Sequence, residues 1–177
     1  MFLRKIGGVI MQKLKPPIAR AGWVYFGKEA SKVEVINDRD SNLVNFFRVL
    51  KFHSPEFERL LKYEVNARDA FEFYKNSAVE TDIQKAIQFF YRINSSFASN
   101  GNHYGYRPSR PPKQILNMQF ERIAERLGKT YVENLDFEEF IKKYDREYTV
   151  FFCDPPYYEL TGYEIQFKKE DHIRLQN

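Results

Sequence analysis

Asp154-Pro155-Pro156-Tyr157 closes an apolar run from Tyr148 to Cys153 and joins three chemical properties in four residues. The consecutive prolines lock φ and stiffen the loop, and they leave the Pro155 carbonyl without a competing local donor. That carbonyl and the Asp154 carboxylate form a pair of acceptors facing one ligand amine, with the Tyr157 ring as a flat face beside them. An NH2 group attached to an aromatic base is the ligand such a set suits. A second acidic position, Asp38, ends the β-branched run from Lys32 to Asn37. Taken by itself, a strand-end carboxylate such as Asp38 reads first as a cap of the helix that follows. Asp136 likewise reads as a cap, with Glu139 three residues on completing a capping box.

These residues need elements to hold them. Lys32 to Asn37 reads as a short strand. Leu43, Val44, Phe46, Phe47, Val49 and Leu50 then recur at helical spacing behind Asp40 and Ser41, either of which can cap. Ser54-Pro55 opens another helix that turns Phe57, Leu60 and Leu61 inward. Two more helical patterns run around Ala67 to Tyr74 and Thr81 to Phe97. From Ser95 to Lys113 Ser, Asn, Gly and Pro dominate, and the segment reads as a loop or irregular insertion. A helix over Gln114 to Leu127 stops at Gly128. A strand at Thr130 to Val132, a helix from Asp136 and the strand Tyr148 to Cys153 follow. That last strand is apolar on both faces, as a parallel strand covered by helices on either side would be. On it Cys153 points away from Asp154 and reads as a small core residue. Strands separated by helices give an α/β layer structure with a mostly helical insertion between Lys51 and Leu127.

Composition sets the outer bounds. The chain has 177 residues, 43% hydrophobic and 29% charged, which suits a globular domain and excludes a disordered tail. The aromatic share is 17%, from 17 Phe, 12 Tyr and one Trp, giving unusual capacity to pack and to stack flat ligands. A net charge of +4 permits a polyanionic partner without demanding one. One cysteine excludes an internal disulfide and any multi-cysteine zinc site. No apolar stretch approaches the about 20 residues that span a bilayer, and the N-terminus reads as a cytoplasmic start and not as a signal peptide. Within the polar segment, Tyr104, Tyr106, Arg107, Arg110 and Lys113 lie with His103 among Gly, Asn and Ser. Basic residues interleaved with rings suit phosphate contacts plus stacking; the other reading is a solvated loop whose charge is incidental.

Three stretches, in order, resemble the adenine-specific DNA methyltransferases of the DNA adenine methylase type: Lys15-Pro16-Pro17-Ile18-Ala19-Arg20, Val35-Ile36-Asn37-Asp38-Arg39-Asp40-Ser41-Asn42-Leu43 and Phe151-Phe152-Cys153-Asp154-Pro155-Pro156-Tyr157. The resemblance implies methyl transfer from S-adenosylmethionine to the exocyclic N6 amine of adenine in duplex DNA, with no metal. It implies that Asp154 and the Pro155 carbonyl hold the amine, that Pro156 stiffens the loop, and that Tyr157 stacks on a base flipped out of the duplex. Asp38 would accept from the cofactor's ribose hydroxyls, Leu135 and Asp136 would meet its adenine, and Gly22 would belong to the glycine loop at its methionine end. The segment from Asn94 to Lys113 would belong to the target-recognition region.

The sequence also departs from that family. Ala21-Gly22-Trp23-Val24 matches the tail of the family's glycine loop yet follows directly on the Lys-Pro-Pro arm. The first sheet strand and the start of the loop are therefore expected to be missing, which would part Asp38 from Asp154 unless Val9 to Leu14 fills the place. The family's later strands after Tyr157 are likewise expected to be absent. The expectation is an incomplete Rossmann-like α/β sheet, deleted internally and truncated at its C-terminus. Residues 1–50 and 128–177 would form the partial catalytic domain and residues 51–127 the DNA-reading insertion, with a complementing chain as one route to a full fold. The alternative is a non-catalytic remnant that at most binds DNA.

Overall fold

Four parallel strands form one sheet in the order β3-β2-β1-β4: β1 Gly7–Gln12, β2 Glu34–Asn37, β3 Thr130–Glu133 and β4 Thr149–Asp154. The computed structural model describes residues 7–12, 23–99, 101–106, 120–154 and 168–176. The short helix α1 (Trp23–Gly27) precedes β2, and the helices α2 (Ser41–Leu61), α3 (Arg68–Asn76), α4 (Asp82–Ser95) and α5 (Phe120–Gly128) lie between β2 and β3. Helix α6 (Phe137–Tyr144) links β3 to β4, and α7 (Lys169–Gln176) comes last.

The central place that the sequence left in doubt is filled. Gly7–Gln12 pairs with β2 on one side and with β4 on the other, so no gap parts the strand leading to Asp38 from the strand leading to Asp154.

Helix boundaries follow local chemistry. Asp40, and not Ser41, caps α2 by accepting from Asn42 N at 2.9 Å. The helix expected to open at Ser54-Pro55 is present as the second half of α2: His53 (φ −137°, ψ 27°) breaks the helical backbone two residues before the proline, which cannot donate to the preceding turn. Thr81 and Gln84 close a reciprocal capping box on α4. Asp136 caps α6 through Glu138 N at 3.0 Å, and not through a box with Glu139.

Val35 and Ile36 are adjacent on β2 and so point to opposite faces of the sheet. Ile36 joins the larger core, with Tyr25, Leu43, Phe46, Leu50, Phe57, Ile87, Phe90, Phe120 and Leu127. Its centre is a ring cluster: Phe46 stacks on Phe90 with centroids 5.6 Å apart, and Phe57 meets Phe90 and Phe120 edge-on. This core is continuous from β2 through α2, α4 and α5, so residues on both sides of position 51 share it. Val35 and Phe140, with Leu135, Tyr144 and Phe151, form the smaller core on the other face.

Strand β4 corrects the sequence reading. Val150 and Phe152 are 48% and 40% exposed, and Cys153 is exposed and not a core residue. The larger core covers β2 and the partly buried Val132 of β3, whereas among the described strands β4 lies at the edge, with Phe151 against Phe140 and Thr149 Oγ1 donating to Tyr144 O at 2.7 Å. Among the described residues no helix is long and apolar enough to cross a membrane.

Candidate functional site at the carboxyl edge of the sheet

Parallel pairing places every strand's carboxyl end on one edge. Met11 lies level with both Asn37 and Cys153, and Gln12 lies level with Asp154. Asp38, one residue past Asn37, therefore reaches the level of Asp154 on the far side of β1. With strands about 4.8 Å apart, the two acidic positions stand roughly 10 Å from each other across the central strand. The chain order runs outward from β1 to β3 and then returns to the other side of β1 at β4, and open α/β sheets bind ligands outside the carboxyl ends at such a reversal.

The loops at this edge are tied together. Asp38 is buried, and its Oδ1 accepts from Asp40 N at 2.8 Å, a turn that fixes the carboxylate at the strand end. The Asp38 backbone joins the neighbouring loop twice: its N–H donates to Glu133 O at 3.3 Å, and its carbonyl accepts from Asn134 Nδ2 at 2.6 Å. Asn37 clamps Leu135 reciprocally, donating from Nδ2 to Leu135 O at 3.0 Å and accepting from Leu135 N at 2.8 Å. Asp136 caps α6 and takes Arg39 on Oδ2 at 3.0 Å and Arg174 on Oδ1 at 2.9 Å. The capping reading of Asp136 thus describes what its carboxylate does here, and both backbone groups of Leu135 serve the clamp.

Asp154 ends β4, exposed, with partial desolvation pushing its carboxyl above the ordinary Asp value. Pro155, Pro156 and Tyr157 lie outside the described residues, as do Gly22, Arg107, Arg110 and Lys113. Asp38, Leu135, Asp136 and Asp154 all fall on the one edge; Tyr104 and Tyr106 belong to a different part of the chain. No group of His, Cys, Asp and Glu side chains among the described residues is placed to hold a metal ion.

The polar segment after α4 is more ordered than its composition suggests. Ser96 and Tyr104 form an antiparallel bridge, flanked by bonds from Phe97 N to His103 O and from Gly105 N to Ser95 O, both 2.7 Å. Gly101 takes φ +74° at the bend and donates to Ser96 Oγ at 2.8 Å. Gly105 lies so close to the Ser96 backbone that a Cβ there would sit 2.7 Å from the Ser96 carbonyl carbon. Tyr104 is anchored within this knuckle: its hydroxyl donates to Asn66, and its ring lies against Phe71 and beneath Arg68. Tyr106 is the described ring that faces solvent there among the two singled out, at 68% exposure.

Sequence reading missed Asn37, Asn134 and Arg174. Asn37 stands in a matched stretch, but its partner lies 98 positions away and carries no local signal.

These features define the class: an α/β protein with a small parallel sheet, helices on both faces, and acidic residues at the carboxyl edge on either side of the central strand. No family model matches the chain. Its sequence is similar to the Type II methyltransferase M1.LlaDCHI of Lactococcus lactis subsp. cremoris, 25% identical over a match covering 88% of this chain and 63% of that protein. The chain thus spans about 63% of the length of the curated relative it matches.

Proposed function

We propose that the carboxyl edge of this sheet is an S-adenosylmethionine and adenine site, and that the chain carries the chemistry of an adenine-N6 DNA methyltransferase. One observation carries the reading: the register brings Asp38 and Asp154 to one level on opposite sides of β1, at the reversal of strand order. The similarity to a Type II methyltransferase and the Asp154-Pro155-Pro156-Tyr157 sequence support it.

The donor set fits the cofactor at its ribose. A carboxylate accepts up to about four hydrogen bonds, so the bond Asp38 accepts from Asp40 N is compatible with hydroxyl donors as well. The cofactor supplies an electrophilic methyl group on a sulfonium. Asp154, ionised, accepts from the adenine amine and aims its lone pair along the line of attack. With the cofactor bound, its methyl–sulfur bond would break as the N–C bond formed, the electron pair leaving on the neutral thioether of the demethylated cofactor, while Asp154 would stabilise the cationic amine and take up its proton or pass it to water. The Pro155 carbonyl is the second acceptor and Tyr157 the stacking face for the base. Duplex DNA is the substrate in this reading, with Tyr106, Arg107, Arg110 and Lys113 as candidate contacts to it.

Calorimetric titration with S-adenosylmethionine, followed by radiolabelled methyl transfer to duplex DNA, tests it. Asp154→Ala is expected to cut transfer by at least about 100-fold while cofactor affinity stays within about threefold. A folded chain that neither binds the cofactor nor transfers methyl identifies the runner-up, a non-catalytic remnant.

A further inference from the structure

Helix α7 is attached to the rest of the protein by charge. Among its described side chains none is fully buried: Asp171, His172 and Leu175 are half-buried and Ile173 is 51% exposed. An eight-residue helix is marginal in isolation, so its docking contacts decide whether it stays. Those contacts converge on Arg174. Its Nη2 donates to Asp136 Oδ1 at 2.9 Å and to Glu138 Oε2 at 2.6 Å, and Nε reaches the same Glu138 oxygen at 3.0 Å. Its Nη1 donates to Asp171 Oδ1 at 3.0 Å, and the guanidinium lies 4.7 Å from the centre of the Phe137 ring.

Asp136 is the shared point. One oxygen takes Arg174, and the other takes Arg39, which follows Asp38 directly. A single carboxylate therefore links three segments: the loop after β2, the loop after β3, and α7. We propose that Arg39 and Arg174 are positioning residues for the cofactor edge, holding Asp136 between them so that the loops bearing Asp38 and Leu135 keep one fixed spacing. This rests on the reading of that edge as the S-adenosylmethionine site. It gives α7, remote in sequence from Asp38, a direct mechanical hold on cofactor affinity.

Hydrogen exchange on the ligand-free protein tests the linkage without the cofactor. The reporters are the amides of Asp40, Leu135 and Glu138, which donate to Asp38, Asn37 and Asp136. Arg174→Gln is expected to speed exchange at these three by about tenfold, since several partly exposed ion pairs and a ring contact are lost together. Amides of the ring-cluster core, such as that of Phe90, stay unchanged. Arg174→Lys falls between, because a point charge replaces a planar fork, and Arg39→Gln repeats the effect at the Asp40 and Leu135 amides. In titration, S-adenosylmethionine affinity falls about three- to tenfold in Arg174→Gln.

Unchanged exchange at the three amides in Arg174→Gln, or faster exchange confined to α7, overturns the linkage whatever the titration shows. A wild-type chain that takes up no S-adenosylmethionine overturns the cofactor reading and the purpose assigned to the linkage, while the exchange result still decides whether the linkage exists. Exchange that responds with cofactor affinity unchanged overturns the positioning role alone.

Discussion

Asn37 shows how one side chain sets the geometry of the candidate site. It is buried at the end of β2, and its amide satisfies both the N–H and the carbonyl of Leu135, where the chain leaves β3 for α6. Asn37→Ala leaves two backbone groups of a partly buried loop without these partners, at a cost of about 1–3 kcal/mol. Urea unfolding is expected to show that loss with an unchanged m-value, since the exposed area on unfolding hardly alters. A loss below about 0.5 kcal/mol would mean that water replaces the amide without penalty. The strand-end places of Asp38 and Asp154 were readable because each closes a β-branched or apolar run. Asn37 was not readable as a clamp, because an amide that bonds a loop 98 positions away looks, in sequence, like any polar end of a strand.

Helices and strands were readable where periodicity or a cap was local, and misread where neighbours decided. The helix that follows Thr81, read from its periodicity, and the break before Pro55 both follow from residues close together in the chain. The covering of β4 does not: the run Thr149–Asp154 is apolar enough for two buried faces, but its place at the sheet margin leaves Val150 and Phe152 exposed. Docking of α7 belongs to the same group, since its partners come from α6. It gives a pH prediction through Glu138. Bonds first from Lys142 and then from Arg174 hold the Glu138 carboxyl down at about 2, against an ordinary value of 4.5. A carboxyl depressed on folding contributes stability above its unfolded pKa and loses it as pH falls through the folded one. Its share of the α7 clasp is therefore complete above about pH 4.5 and disappears towards pH 2. A carboxyl-carbon NMR titration of Glu138 is expected to show a midpoint near 2, moved part of the way back towards 4.5 in Arg174→Gln, with Lys142 still in place. A midpoint of 4.5 in the unmodified chain would show that the ion pairs are not formed in solution.

The two edges of the sheet divide the labour of the fold. The carboxyl edge carries the candidate site and its loop ties, while the amino edge is braced by a buried charge. Glu34 opens β2 with only 2% of its surface exposed and is met by Lys28, by Arg126 Nη2 at 2.9 Å and by Ser31 N at 3.1 Å. Arg126 in turn lies against the Tyr25 ring and donates to the carbonyls of Tyr25 and Lys28, while the Tyr25 hydroxyl bonds Thr130. One carboxylate thereby joins α1, β2, α5 and, through Tyr25, β3. Removing it leaves a largely buried guanidinium without its counter-charge, and breaking such a pair from one side costs about 3 kcal/mol. Glu34→Ala is expected to lose that much in urea unfolding. Because Glu34 and Asp38 stand at opposite ends of one short strand, the proposed cofactor reading expects the folded variant to bind S-adenosylmethionine within about twofold of the unsubstituted chain. A tenfold loss of affinity in a variant shown to be folded would mean that strain passes along β2 from one edge to the other, and that brace and site are a single cooperative unit.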